Sequence, residues 1–244
     1  TPPPLEPVPS AQLAINAPMA LPPMRHKVVM VIDLVESVRL MAVNEAAVVN
    51  RWRGFVQHAS TQVLPARAGR LVKSLGDGLL VEFEQPVQAV QAALDLHRYF
   101  DPLNATLAPA QQMHLRAGIN ASQLYVDEND VYGHGVNLAA RVADLAAPGE
   151  TVVTASVYDG IVAGVDADVQ DRGESYLKHW PEPVRTWAVT PVNAQAPMPR
   201  RVSPDGVASD FRPAIAVVPF ETRSHAAEQF VIGELIADGV IAQL

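Results

Sequence analysis

Two stretches decide the fold: Lys27–Asp33, KVVMVID, and Arg70–Phe83, RLVKSLGDGLLVEF. The first is a short apolar run closed by a carboxylate, the pattern of a buried strand. The second divides at Gly76-Asp77-Gly78 into two β-prone runs, Arg70–Leu75 and Leu79–Phe83. Such runs around an Asp-Gly turn predict a hairpin. Asp33 and Asp77 therefore both stand where a rigid strand gives way to a turn. If those strands are neighbours, the carboxylates meet, and two adjacent like charges cannot both stay ionised without a cation. Magnesium or manganese answers that need and also accepts phosphate oxygens. Taken singly, each residue has a plain structural use, Asp33 as a cap and Asp77 as part of the turn.

Outward from these strands the pattern continues. Glu45–Leu64 places Val48, Val49, Trp52, Phe55, Val56, Ala59 and Val63 at helical spacing. Pro86–Tyr99 repeats that spacing, with proline suited to a first turn. His114–Asn120 and Gln123–Val126 read as two further strands with Ser122 in a turn between them. Gly135–Ala146 reads as a small-residue helix ended by Pro148-Gly149. Thr151–Thr154 and Thr186–Val189 are the later strands. The order predicts an α+β fold, an antiparallel-rich sheet with helices on one face.

Bulk composition narrows the function. The chain has 244 residues, 49% of them hydrophobic, enough for a sizeable core. A net charge of −8 gives no general attraction to nucleic acid or anionic membranes, so nucleic acid is not an expected partner. The absence of cysteine excludes disulfides, zinc–thiolate sites and cysteine nucleophiles. The histidines show no metal-ligand spacing, and neither a Walker-type phosphate loop nor a G-x-S-x-G elbow occurs. No run is long and apolar enough to span a bilayer. Residues 1–24 and 193–212 are rich in proline and read as a tail and a linker. The chain begins at Thr1 and stops within a helical pattern, which reads as a piece of a longer protein whose missing segments could carry membrane attachment or regulatory domains.

Asn137 and Arg141, in GVNLAAR, are four residues apart and share a helix face. An amide beside a fixed guanidinium suits a sugar oxygen and a phosphoryl group. A solvated arginine near an asparagine is the bland alternative. At this point VVMVIDLVESVRLM, GRLVKSLGDGLLVEF, LRAGINASQLYVDENDVYGHGVNLAARV, APGETVVTASVYDGI and LKHWPEPVRTWAV together resemble the class III adenylate/guanylate cyclase family. The resemblance covers residues 27–190 and implies a catalytic domain over 25–192 with a ferredoxin-like fold and flanking helices.

That resemblance also implies roles. Asp33 and Asp77, helped by the Leu34 carbonyl, would hold two magnesium or manganese ions per active site. Lys73 and Asp130 would read the purine, and a lysine donor beside an aspartate acceptor matches adenine rather than guanine. Asn137 would orient the ribose, Arg141 would stabilise charge at the α-phosphate, and Lys178 would meet the outer phosphates. The implied reaction is cyclic AMP formation from ATP in a head-to-tail homodimer, in the cytoplasm. The alternatives are a cyclase-like module that binds nucleotide without turnover, and a guanylate cyclase. Lys73, Asp130 and Lys178 each also read as ordinary solvated charges.

Three positions depart from the family pattern: Glu36 and Ser122 where glycine is usual, and Val38 where threonine is common. Glu36 would add repulsion near a triphosphate, and Ser122 would be strained if its turn needs positive φ. Residues 213–244 resemble the beginning of a TolB-like domain.

Overall fold

A computed structural model describes residues 21–161, 164–178 and 180–192. The TolB-like segment, the linker and the first twenty residues lie outside these. The described residues fall into two compact units. The larger holds residues 21–173 and 185–192. In the smaller, Leu177 is buried and its carbonyl accepts the Trp180 N–H at 3.0 Å, while Lys178 is exposed.

The apolar run becomes the central strand β1 (Met24–Leu34). It pairs antiparallel with β3 (Gly78–Phe83) on one side and β4 (Leu115–Val126) on the other. β2 (Arg70–Ser74) closes the predicted hairpin against β3. β6 (Thr151–Thr154) lies parallel to β4, and β8 (Val184–Pro191) antiparallel to β6. The order is β2-β3-β1-β4-β6-β8-β7, with β7 (Ala167–Ser175) at the edge and the short β5 (Val131–Tyr132) paired to β4. The sheet is mostly antiparallel, as the sequence predicts.

Alternation along β1 sorts its side chains between two cores. Val28, Met30 and Ile32 join Leu79, Val81 and Phe83 beneath α1 (Ser37–His58), α3 (Pro86–His97) and α6 (Ala155–Ile161). Two short helical turns, α2 (Leu64–Ala66) and α4 (Asp101–Asn104), link these elements. Phe55 anchors this side, with ring centroids 4.9 Å from Trp52 and 5.5 Å from both Tyr99 and Phe100. Of these, the fully buried rings of Phe55 and Phe100 each contribute about 1.5–3 kcal/mol. On the opposite face Val29, Val31 and Leu80 pack under α5 (His134–Ala143) through Ala139 and Ala143. Helices therefore cover both faces, which corrects the one-face expectation. The small-residue stripe explains why: a Cβ on Gly118 of β4 would stand 2.2 Å from the Ala143 nitrogen and 2.3 Å from the Ala139 oxygen.

Other boundaries also differ. Residues 115–126 form one strand, so Ser122 is not in a turn but paired with Lys27. Among the described residues only Glu36 and Ala68 are non-glycines with positive φ, so Ser122 carries no such strain. Its hydroxyl instead rests against Gly135, where an added Cβ would approach to 1.9 Å. The first helix begins at Ser37, well before Glu45. It kinks at Asn44, whose Oδ1 accepts the Ala47 N–H at 3.1 Å.

Candidate active site

The β1–β3 register sets Asp33 opposite Gly78, and Leu34 N–H donates to the Asp77 carbonyl at 2.9 Å. The strand end and the hairpin tip thus bring Asp33, Leu34 and Asp77 together. Gly78 is tightly enclosed, since a Cβ there would meet the Asp33 Cβ at 3.2 Å. Ser37, at the start of α1, donates its hydroxyl to Asp77 Oδ2.

Asp33 is further held from β4. Arg116, its register partner, donates Nε to Oδ1 at 2.7 Å and Nη2 to Oδ2 at 3.2 Å. Burial pushes the Asp33 carboxyl above its ordinary pKa; Arg116 pulls it back, while the charges of Asp144 and Asp77 push it further up. Burial works against the Arg116 cation, but the hydrogen bond and charge of Asp33, followed by Asp144 and Asp77, take its pKa above the usual arginine value.

These donors suit a hard divalent cation. The two acids are close enough for one to disfavour ionisation of the other. Among the described residues no cluster of three or more His, Cys, Asp or Glu forms a cation cage. Magnesium, and by the same hard-ion chemistry manganese, is commonly held by one or two carboxylates, with waters and substrate phosphates completing the shell. The Asp33/Asp77 pair has that character.

Lys73 and Asp130 come together from β2 and the loop before β5, with Nζ 2.6 Å from Oδ2. Asp130 Oδ1 accepts its neighbour Val131 N–H at 2.8 Å, and Asp127 Oδ1 accepts the N–H of Asp130 at 2.7 Å. The pair is thus a fixed donor–acceptor edge set on a braced turn. Asn137 and Arg141 lie on α5, where Asn137 is exposed and the Arg141 side chain is 43% accessible. Lys178 belongs to the smaller unit.

Residues 28–191 match the adenylate and guanylate cyclase catalytic domain. The chain belongs to that family. It is 29% identical over 224 residues to a putative adenylate cyclase 3 of Rhizobium meliloti, covering 90% of this chain and 38% of that protein. The chain thus spans well under half the length of that relative. An adenylate/guanylate cyclase/hydrolase of Silicibacter pomeroyi shares the fold with a TM-score of 0.63 and 26% identity, over 70% of this chain and 99% of that one. The adenylyl cyclase CyaB of P. aeruginosa superposes with a TM-score of 0.63 at 18% identity, over 72% and 98% of the two chains. No helix among the described residues is long and apolar enough to cross a membrane.

In this cyclase domain, Glu36 has an explanation. Its backbone sits at φ 52, the left-handed region where glycine is relaxed and a Cβ is not. Its carboxylate pairs with Arg39 at 2.6 Å, and Arg39 also donates to the Ala110 carbonyl at 2.9 Å. The charge is thereby partly neutralised. Val38 is 81% exposed and fills no space that a threonine would need.

Sequence reasoning misses Ser37, Arg116 and Asp144. Arg116 has one weak signal: it is the lone cation within the apolar strand LRAGIN. Asp144 has none, because its relevance depends on the fold bringing β4 beside the end of α5.

Proposed function

We propose that this domain is an adenylate cyclase that converts ATP to 3′,5′-cyclic AMP and pyrophosphate. The observation that carries the choice of nucleotide is the Lys73–Asp130 pair, 2.6 Å apart. Adenine offers N1 as an acceptor and its 6-amino group as a donor; the lysine cation and the aspartate oxygen are the complementary set. Guanine offers the reverse edge, which disfavours a guanylate cyclase.

Asp33 and Asp77, with the Leu34 carbonyl, would hold two magnesium or manganese ions, which supply activation of the 3′ hydroxyl and neutralisation of the triphosphate. The chain's own residues do the rest. Ser37 fixes the Asp77 carboxylate by hydrogen bonding. Lys73 and Asp130 fix the base and so set the ribose. Asn137 orients the ribose oxygen, and the Arg141 guanidinium stabilises charge growing on the α-phosphate oxygens during in-line displacement. For Lys178 the family resemblance alone suggests a role, at the outer phosphates. Asn137 and Arg141 would serve the acids of a second copy in a head-to-tail homodimer.

The test is incubation of purified protein with ATP or GTP and Mn²⁺, with chromatography of the products. Cyclic AMP from ATP, lost in Asp33→Ala and Asp77→Ala, is the expected result. Activity that survives both substitutions refutes the metal assignment. A second reading, nucleotide binding without turnover, is favoured by the strained, acidic Glu36 in the loop after Asp33. It predicts ATP binding with no cyclic product.

A further inference from the structure

Four charged residues run in an unbroken line from the end of β1 to the end of α5. Arg116 engages both oxygens of Asp33, at 2.7 and 3.2 Å. The same Arg116 Nη2 lies 3.0 Å from Asp144 Oδ1. The other Asp144 oxygen, Oδ2, lies 3.7 Å from Arg141 Nη1. One guanidinium nitrogen is therefore shared between two carboxylates, and one of those carboxylates is shared between two arginines. The Arg116 and Asp33 side chains are only 27% and 22% accessible, while Asp144 is 51% accessible.

This arrangement bears on how a cation reaches Asp33. A divalent ion bound directly to a carboxylate sits close to the oxygen, roughly 2.0–2.1 Å for magnesium. It must share the two oxygens that the forked guanidinium already engages. Two cations then compete for Asp33, and Coulomb repulsion acts between them. Asp144 offers Arg116 an acceptor already within reach, so the guanidinium can yield Asp33 without being left bare.

We propose that Arg116 is the resident counter-cation of Asp33 in the metal-free domain, and that Asp144 is the acceptor that takes Arg116 over when a divalent cation binds. Both are positioning residues. The transfer also loosens Asp144 from Arg141, which ties occupancy of the acid pair to the freedom of the arginine on α5. The inference rests on the metal reading of Asp33 and Asp77.

The two partners make opposite predictions. Removing Arg116 removes the competitor; removing the Asp144 charge leaves Arg116 with nowhere else to go. A merely structural ion-pair line would weaken binding when cut at either point. Mn²⁺ is titrated into the full chain without nucleotide, and the free ion is followed by its electron paramagnetic resonance signal. Arg116→Gln is expected to bind Mn²⁺ roughly tenfold more tightly than the native chain, the equivalent of one partly exposed charge-assisted contact. Asp144→Asn is expected to bind it about threefold more weakly, in line with one exposed charge. Unchanged or weaker binding by Arg116→Gln overturns the proposal. If circular dichroism shows Arg116→Gln unfolded, Arg116→Lys takes its place: its single ammonium cannot hold both Asp33 oxygens, so binding should again tighten, and unchanged or weaker binding overturns the proposal. Asp33→Asn separates the two levels: Mn²⁺ binding that survives it sinks the metal reading itself, whereas its loss with no opposed shifts sinks only the Arg116 transfer.

Discussion

Acid should weaken this domain through His97, at the end of α3. Its Nε2 pairs with Thr151 Oγ1 at 2.9 Å, while Nδ1 is shut off from solvent with no hydrogen-bond partner among the described residues. Part of the residue still reaches the surface, but Nδ1 does not. Burial, with a smaller push from the charge of His114, lowers the His97 pKa to about 4. In the unfolded chain it returns to about 6.5. The unfolded state therefore binds the proton first as pH falls. The associated stability is whole above neutrality and drains away from pH 6.5 towards pH 4, to a ceiling of about 3 kcal/mol. At pH 5.5 the loss is at most about 1.4 kcal/mol, against less than about 0.1 kcal/mol at pH 7.5. That is a sizeable fraction of a typical total of about 5–15 kcal/mol. His97→Gln keeps an amide for Thr151 but does not titrate. Urea unfolding of both proteins at the two pH values gives the double difference, in which other titrating groups, His114 included, largely cancel. The native chain should lose about 1.4 kcal/mol more than the variant. Equal losses would refute the reasoning.

Three further outcomes are expected. Gly118→Ala drives a methyl into the backbone of Ala139 and Ala143, so urea unfolding should show a loss of about 3 kcal/mol or more, with cyclic product falling in parallel. Glu36→Gly relieves a backbone at φ 52 and removes a carboxylate from the loop after Asp33. Its KM for ATP should fall roughly threefold, as one screened charge predicts, and an unchanged KM would show that Arg39 already cancels Glu36. Lys73→Glu reverses half of the pair proposed to read the base, so kcat/KM for ATP should drop about ten- to hundredfold while that for GTP holds or rises.

Much of this architecture is written locally, and that part is legible in the order of the residues alone. KVVMVID is a central strand because it is apolar on both alternating faces, and both faces are covered. The Gly-Asp-Gly turn marks the hairpin, so the meeting of Asp33 and Asp77 follows once the two strands pair. What escapes such reading depends on partners distant in the chain or on missing periodicity. The first helix reads as beginning at Glu45 because the kink at Asn44 breaks its phase with Leu40. β7, ADVQDRGES, has no apolar alternation, for it is an edge strand exposed along most of its length and defended by charge. Ser122 reads as a turn residue because glycine is usual there, yet what fixes it is Gly135, on the helix beyond the next loop. Arg116 acquires its meaning from a register that spans 83 positions to Asp33.

The bare contact at Gly118 has a bearing on control. With main chain against main chain and no side chain as cushion, α5 is seated directly on β4 at this point. Asn137 and Arg141 must ride with the strands that bear the acids, as spokes ride with a hub. A stimulus that pushed on α5 would therefore push on the sheet as well, and its mechanical lever would lie at the outer edges of the fold.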